Sequence, residues 1–238
     1  MSENDYILIT CEHGGNRIPN RYRKLFSGVE ALLQTHRGYD AGALAMAREL
    51  SKSLDGSLFV ATTSRLLVDL NRSIGHPRLY SDATRKAPVM VRREILQSHY
   101  LPYRNKVEAA ISAAIERGSR VIHIASHSFT PELDGVVRNA DIGLLYDPAR
   151  SEEAALCRNW QTQLKAVAPD LKVRKNYPYT GRSDGFTAYL RRRFQAECYV
   201  GIELEINQKH VLNSGRHWRA LRLGVIDALR RALKNCHA

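Results

Sequence analysis

Continuous apolar runs that end in imidazole, carboxylate or amide groups constrain this chain most. Ile7-Leu8-Ile9-Thr10-Cys11 precedes Glu12-His13-Gly14-Gly15-Asn16, Val121-Ile122-His123-Ile124-Ala125 precedes Ser126-His127-Ser128, and Tyr199-Val200-Gly201-Ile202 runs into Glu203-Leu204-Glu205-Ile206-Asn207. A strand with one wet face alternates apolar and polar residues. Runs without that alternation are buried on both faces, as in parallel sheets covered by helices. Ligands of such sheets gather at the carboxyl ends of the strands, where the polar groups of all three runs fall.

Periodicity along the rest of the chain predicts strands near 6–11, 57–63, 120–126, 141–146, 171–175 and 198–206. Between them fall helices near 40–53, with Leu44, Ala47 and Leu50 on one side, and near 91–117, the latter either one helix or a kinked pair interrupted by Pro102. Further helices are expected at 151–167, 186–195 and 215–234. Asp147-Pro148 stops the fourth strand, because proline cannot continue a central ladder. Glu152 and Glu153 suit the positive end of the helix that follows. Alternating strands and helices make an α/β three-layer sandwich, a mostly parallel mixed sheet with helices on both faces. No repeat, low-complexity segment or long linker interrupts residues 1–238, so a single domain is expected.

The 238 residues are 44% apolar and 25% charged, the balance of a globular protein with a sizeable core. No apolar run approaches the roughly 20 residues that span a bilayer, and Glu3 and Asp5 make the amino terminus unlike a secretory signal, so cytoplasmic residence is expected. Cys11, Cys157, Cys198 and Cys236 lack C-x-x-C or zinc-finger spacing, and Cys11 and Cys198 read as small core residues. The net charge of +12 raises the question of nucleic acid. However, Arg191-Arg192-Arg193 and the arginines from Arg216 to Arg231 lie on helical solvent faces, and no aromatic-interleaved basic platform appears. A small anionic substrate is the expected partner, with nucleic acid and membrane not expected.

Imidazole and carboxylate are zinc ligands, and a catalytic zinc takes about three of them with one position left open. His13 and His127, each at the end of an apolar run, are the first candidates, and Gly14-Gly15 would let the backbone approach an ion or substrate. His123 lies four residues before His127, on the order of 13 Å along an extended strand, and reads as a hydrogen-bonded core residue. Glu203, Glu205 and Asn207 share one face of the last strand. Buried carboxylates must be paired, hydrated or metal-bound, unless this strand is an edge with a wet face. Glu203 is read as the general base and Glu205 as an orienting carboxylate. In Ser64–Ser73, Arg65, Asn71 and Arg72 offer planar donors to an acidic substrate, with Asp69 able to hold one guanidinium.

These segments, with Gly38-Tyr39-Asp40-Ala41-Gly42-Ala43, Ser126-His127-Ser128-Phe129-Thr130-Pro131 and Asp141-Ile142-Gly143, together resemble the N-formylglutamate amidohydrolase family over nearly the whole chain. That family is similar in turn to zinc carboxypeptidases and aspartoacylases, which implies a zinc-carboxypeptidase-like fold and a Zn2+ cofactor. Position 16 is asparagine where carboxypeptidases place the glutamate of His-x-x-Glu. Asp40 is therefore either the third ligand or a helix N-cap, with Glu12 in reserve. The resemblance implies hydrolysis of N-formylglutamate, or a near relative among small N-acyl acidic amino acids. Arg65, Asn71, Arg72, Asn16 and Ser128 would bind substrate, with Tyr179 and Arg182 from a loop at 176–185. A zinc hydrolase of another N-acyl amino acid or a carboxyl-terminal amide, and a non-catalytic ligand-binding protein on the same scaffold, are the alternatives.

Overall fold

In the computed structural model, which describes residues 4–212 and 215–235, strands β1 (Asp5–Cys11), β2 (Ser57–Val60) and β3 (Arg120–Phe129) come first. A two-stranded hairpin, β4 (Glu132–Leu133) and β5 (Val136–Val137), precedes β6 (Ile142–Leu145), β7 (Val173–Lys175) and β8 (Tyr199–Asn207). Helices are α1 (Ala43–Leu54), α2 (Asp82–Arg85), α3 (Val89–Ile95), α4 (Leu101–Glu116), α5 (Ser151–Val167), α6 (Phe186–Arg193) and α7 (Gly215–Asn235). The main sheet has six strands in the order β2-β1-β3-β8-β6-β7. All neighbouring pairs are parallel except β6 with β8, which run antiparallel.

The two faces of the sheet explain the unbroken apolar runs. Ile7, Ile9, Ile122, Ile124, Ile202 and Leu204 join a core with α1, α5 and α7, including Trp160 and Leu229. On the other face Leu8, Val121 and Tyr199 pack with Val107 and Ile111 of α4 and Phe186 and Leu190 of α6. Removing a fully buried side chain of Trp160's size costs on the order of 3–5 kcal/mol. A third cluster, built from Ile18, Tyr22, Phe26, Leu67, Leu70 and Tyr100, caps the sheet from segments that follow β1 and β2.

Several elements differ from the sequence expectation for identifiable reasons. The strand expected to 63 ends at Val60, and only an isolated bridge between Arg17 and Thr63 follows. Pro102 does not break the 91–117 helix. A wide π turn at Leu96–Tyr100 joins α3 to α4, which absorbs the missing N–H and the ring. The helix expected from 40 begins at Ala43, behind Gly42 in the left-handed region at φ 82°. A Cβ there would meet a Val211 methyl at 2.6 Å and the Trp218 ring of α7 at 3.1 Å, so glycine serves both the turn and the packing against α7. Cys11 is buried, but Cys198 is only half-buried, near the start of β8, and Cys236 lies outside the described residues. Among the described residues no helix is long and apolar enough to cross a membrane.

Candidate metal centre and cleft

Three chain segments converge just past the end of β1 and on the carboxyl-terminal part of β3. His13 follows β1, His127 sits within β3, and the backbone N–H of Asp40 donates to the His13 carbonyl at 3.0 Å, which draws the segment before α1 against the sheet. Asp40 is therefore not the cap of α1; Gly42 is. Asp40 Oδ2 lies 3.3 Å from His13 Nδ1 and 2.9 Å from His127 Nδ1. The two rings meet edge to face with centroids 5.1 Å apart. One donor atom from each of these three buried residues lies within 4.8 Å of the other two, a set that could hold a metal ion.

The far nitrogen of each imidazole faces a second buried carboxylate. His13 Nε2 is 2.7 Å from Asp69 Oδ1, and His127 Nε2 is 3.1 Å from Glu12 Oε2, though off hydrogen-bond geometry. Carboxylates behind metal-binding histidines place the proton on the outer nitrogen and leave the inner lone pair for the ion. Burial alone would raise the Glu12 pKa, but the close approach and charge of His127 bring it down to about 2. Asp40 and Asp69 are likewise held below the usual carboxylate range against their burial, Asp40 chiefly by His13 and Asp69 chiefly by Arg65. Burial opposes the charge on His127, yet Asp40 and Glu12 raise its pKa well above the ordinary imidazole value. With neutral imidazoles, Asp40, Asp69 and Glu12 carry three negative charges around the two rings, of which the Arg65 guanidinium, paired with Asp40 and Asp69, offsets one, and a divalent cation would balance the excess. The donor set therefore fits zinc, which takes imidazole and carboxylate ligands.

The carboxylates of β8 arrive by strand register. Glu205 lies directly across the ladder from His127, and Glu203 across from Ala125. One oxygen of Glu205, Oε2, is buried without a hydrogen-bond partner among the described residues. Burial, with the nearby charges of Asp40 and Glu203, pushes its pKa up to about 8. Glu203 instead accepts a hydrogen bond from Thr187 in the first turn of α6. His123, deeper on the same face, is 2.8 Å from Thr10 Oγ1 and 2.7 Å from the Tyr199 hydroxyl, the hydrogen-bonded core position expected of it.

The Ser64–Ser73 segment forms one wall. Arg65 donates to Asp40 at 3.3 Å and to Asp69 at 2.8 Å. The Asn71 N–H donates to Asp69 at 2.9 Å, and its side-chain oxygen accepts from the Phe186 N–H at 2.5 Å. Arg72 donates to the Asp184 carbonyl, and its Nε is buried without a hydrogen-bond partner among the described residues. Beneath this arm lies Arg104, which is 4% exposed and has no carboxylate in contact among the described residues. Its guanidinium donates to the Leu70 carbonyl at 3.0 Å and the Arg72 carbonyl at 3.4 Å and sits 4.2 Å above the Phe186 ring. Tyr100 adds a bond to the Arg72 carbonyl at 2.7 Å.

A cleft of about 620 Å³ opens over His13, Asp40, His127, Glu203, Glu205 and this arm, with Ser128 and Tyr179 on its wall. Two sequence candidates lie elsewhere. Asn16 donates its amide to Gln34, and Arg182 is exposed, 3.7 Å from Asp147. Gly14 and Gly15 do not face the cleft. They pack on the segment after β2, where a Cβ on Gly15 would stand 2.6 Å from the Thr62 carbonyl. Glu12 backs His127 instead of joining Asp40. Thr187 and Arg104 carry no sequence signal of their own, because each acts through residues far away in the chain.

No curated protein sequence matches this chain. Among solved structures, an Agrobacterium tumefaciens gene product superposes with a TM-score of 0.83 at 28% identity, over 98% of this chain and 92% of that one. An N-formylglutamate amidohydrolase from Ralstonia eutropha JMP134 superposes with a TM-score of 0.70 at 19% identity, over 98% and 95%, a likeness of fold. The pattern that defines one family of amidohydrolases runs through residues 6–212, across β1, the Ser64–Ser73 arm, β3 and β8, and on that match the chain belongs to the N-formylglutamate amidohydrolase family.

Proposed function

We propose that this protein is a zinc-dependent hydrolase of N-formylglutamate, or of a closely related small N-acyl acidic amino acid, with residues 1–238 acting as one catalytic unit. The observation that carries the reading is the paired-carboxylate arrangement, in which His13 and His127 each turn Nδ1 toward Asp40 and Nε2 toward a buried acid. His13, Asp40 and His127 would hold the ion, which when bound supplies Lewis acidity and a water ionised near neutral pH.

Glu205 is the general base in this reading, and Glu203 is a neighbouring carboxylate fixed by Thr187. The placement of Glu205 beside His127 with a free oxygen supports that order over the one expected from sequence. Glu205 takes a proton from the attacking water as the water oxygen adds to the formyl carbon. It returns that proton to the leaving nitrogen as the C–N bond breaks, giving formate and the free amino acid. Arg72 and Asn71 bind substrate carboxylates, since the guanidinium of Arg65 is already engaged by two aspartates.

Formate release from N-formylglutamate, measured with elemental analysis on the same preparation, tests the reading. Glu205→Gln should retain metal and lose turnover by about a thousandfold. Near wild-type turnover in that variant removes the proposed base, and full activity without metal removes the ion.

A further inference from the structure

The cleft is larger and more cationic at its mouth than a single amino acid requires. N-formylglutamate has about a dozen non-hydrogen atoms, whereas clefts of roughly 300–1,000 Å³ suit ligands of drug size, and this one measures about 620 Å³. Its floor is acidic, and Arg65 there is engaged by Asp40 and Asp69. Further out, Arg37, Arg78 and Arg85 line the mouth, all exposed; Arg85 pairs with Asp82 in its own helical turn, and Asp184, whose carboxylate accepts from Ser73, also lines the cleft.

The segment bearing Arg78 and Arg85 is anchored. The Asp69 N–H donates to the Leu79 carbonyl at 2.9 Å, Ser81 donates to the Leu66 carbonyl at 2.5 Å, and Leu79 and Thr84 are buried. Two arginines are thus carried on a braced wall that starts from the same segment as the inner substrate arm.

We propose that this mouth is a second anion subsite and that the preferred substrate is an N-acyl acidic dipeptide. The inference rests on the hydrolase reading of the floor. The acyl C–N bond lies over the metal centre, the first acidic residue meets Asn71 and Arg72, and the carboxylates of the second residue reach Arg78 and Arg85. The reaction is otherwise unchanged: water adds its oxygen to the acyl carbon, the C–N bond breaks, and the peptide amine leaves with the proton.

Titration calorimetry on the zinc-loaded protein with the product peptides Glu-Glu and Glu-Ala reads the subsite independently of turnover. Glu-Glu should bind about fivefold tighter at low ionic strength, a preference that shrinks in salt. The double variant Arg78→Gln/Arg85→Gln should lose that preference and leave N-formylglutamate turnover unchanged, and Arg78→Glu should shift the preference toward Glu-Lys. Equal binding of the two peptides by the wild type, or equal weakening of both in the double variant, overturns the proposal. A preserved Glu-Glu preference in a protein that does not turn over N-formylglutamate would sink the catalytic reading and leave the subsite standing.

Discussion

Asp69 sets one carboxylate oxygen 2.7 Å from Nε2 of His13, on the ring edge opposite Asp40, while its other oxygen accepts from Arg65 at 2.8 Å. One acid therefore orients both an imidazole and a guanidinium. Asp69→Asn should lower zinc affinity about 10- to 100-fold with the fold intact, as loss of an acid behind a metal-binding histidine does elsewhere. Competition against a chelator of known affinity checks this. An unchanged affinity would mean that the ring is held by packing alone.

Metal uptake should release protons. The metal-free His127 has its pKa raised well above the imidazole norm by Asp40 and Glu12, so it is protonated at neutral pH and must lose that proton to offer a lone pair. Release of about one proton per zinc at pH 7 is expected, read from calorimetry in buffers of different ionisation enthalpy. No buffer dependence would contradict that protonation state.

Glu205 should make the metal-free protein less stable as pH rises. Its folded pKa, about 8, lies above the unfolded value of 4.5, so the folded state retains a proton that the unfolded state has lost between those values. Its contribution is fully present below about pH 4.5 and declines by ~1.4 kcal/mol or less per unit toward pH 8. Thermal melts of metal-free Glu205→Gln should match wild type near pH 4 and exceed it at pH 8. A difference that does not change with pH would point to packing instead of ionisation.

Arg104 offers a test of positioning without contact to the reacting atoms. It braces the Leu70 and Arg72 carbonyls from beneath and stacks on Phe186, whose N–H holds Asn71. Arg104→Gln should raise KM for N-formylglutamate about tenfold, change kcat little and leave metal content at wild-type level. A fall in kcat with KM unchanged would place its role elsewhere. Arg104→Lys should recover part of the loss, because an ammonium can still donate to a carbonyl though it cannot stack as a plane.

Sequence and structure agree where chemistry is local and diverge where it depends on assembly. His13 and His127 were legible because an imidazole closing an apolar run already lies at a sheet's carboxyl edge. Asp40 was ambiguous because its role depends on where α1 starts, and Gly42 decides that through contact with Val211, far along the chain. Sequence put Glu203 ahead of Glu205 as the base, but a strand repeat of two sets both on one face, and only register against β3 tells which lies across from His127. The reversed direction of β6 was equally hidden, because an apolar run reads the same in a parallel or antiparallel partner. Arg104 looked like any helix arginine until three rings and two carbonyls closed around it.

The pairing of His127 with Glu205 has one more consequence. Their spacing is measured out by amide-to-carbonyl bonds between adjacent interior strands, among the last parts of such a molecule to open in hydrogen exchange. Drift in the surrounding loops can reshape which ligand enters without altering that separation, whereas a two-residue slip of β8 would carry Glu203 into the place of its neighbour.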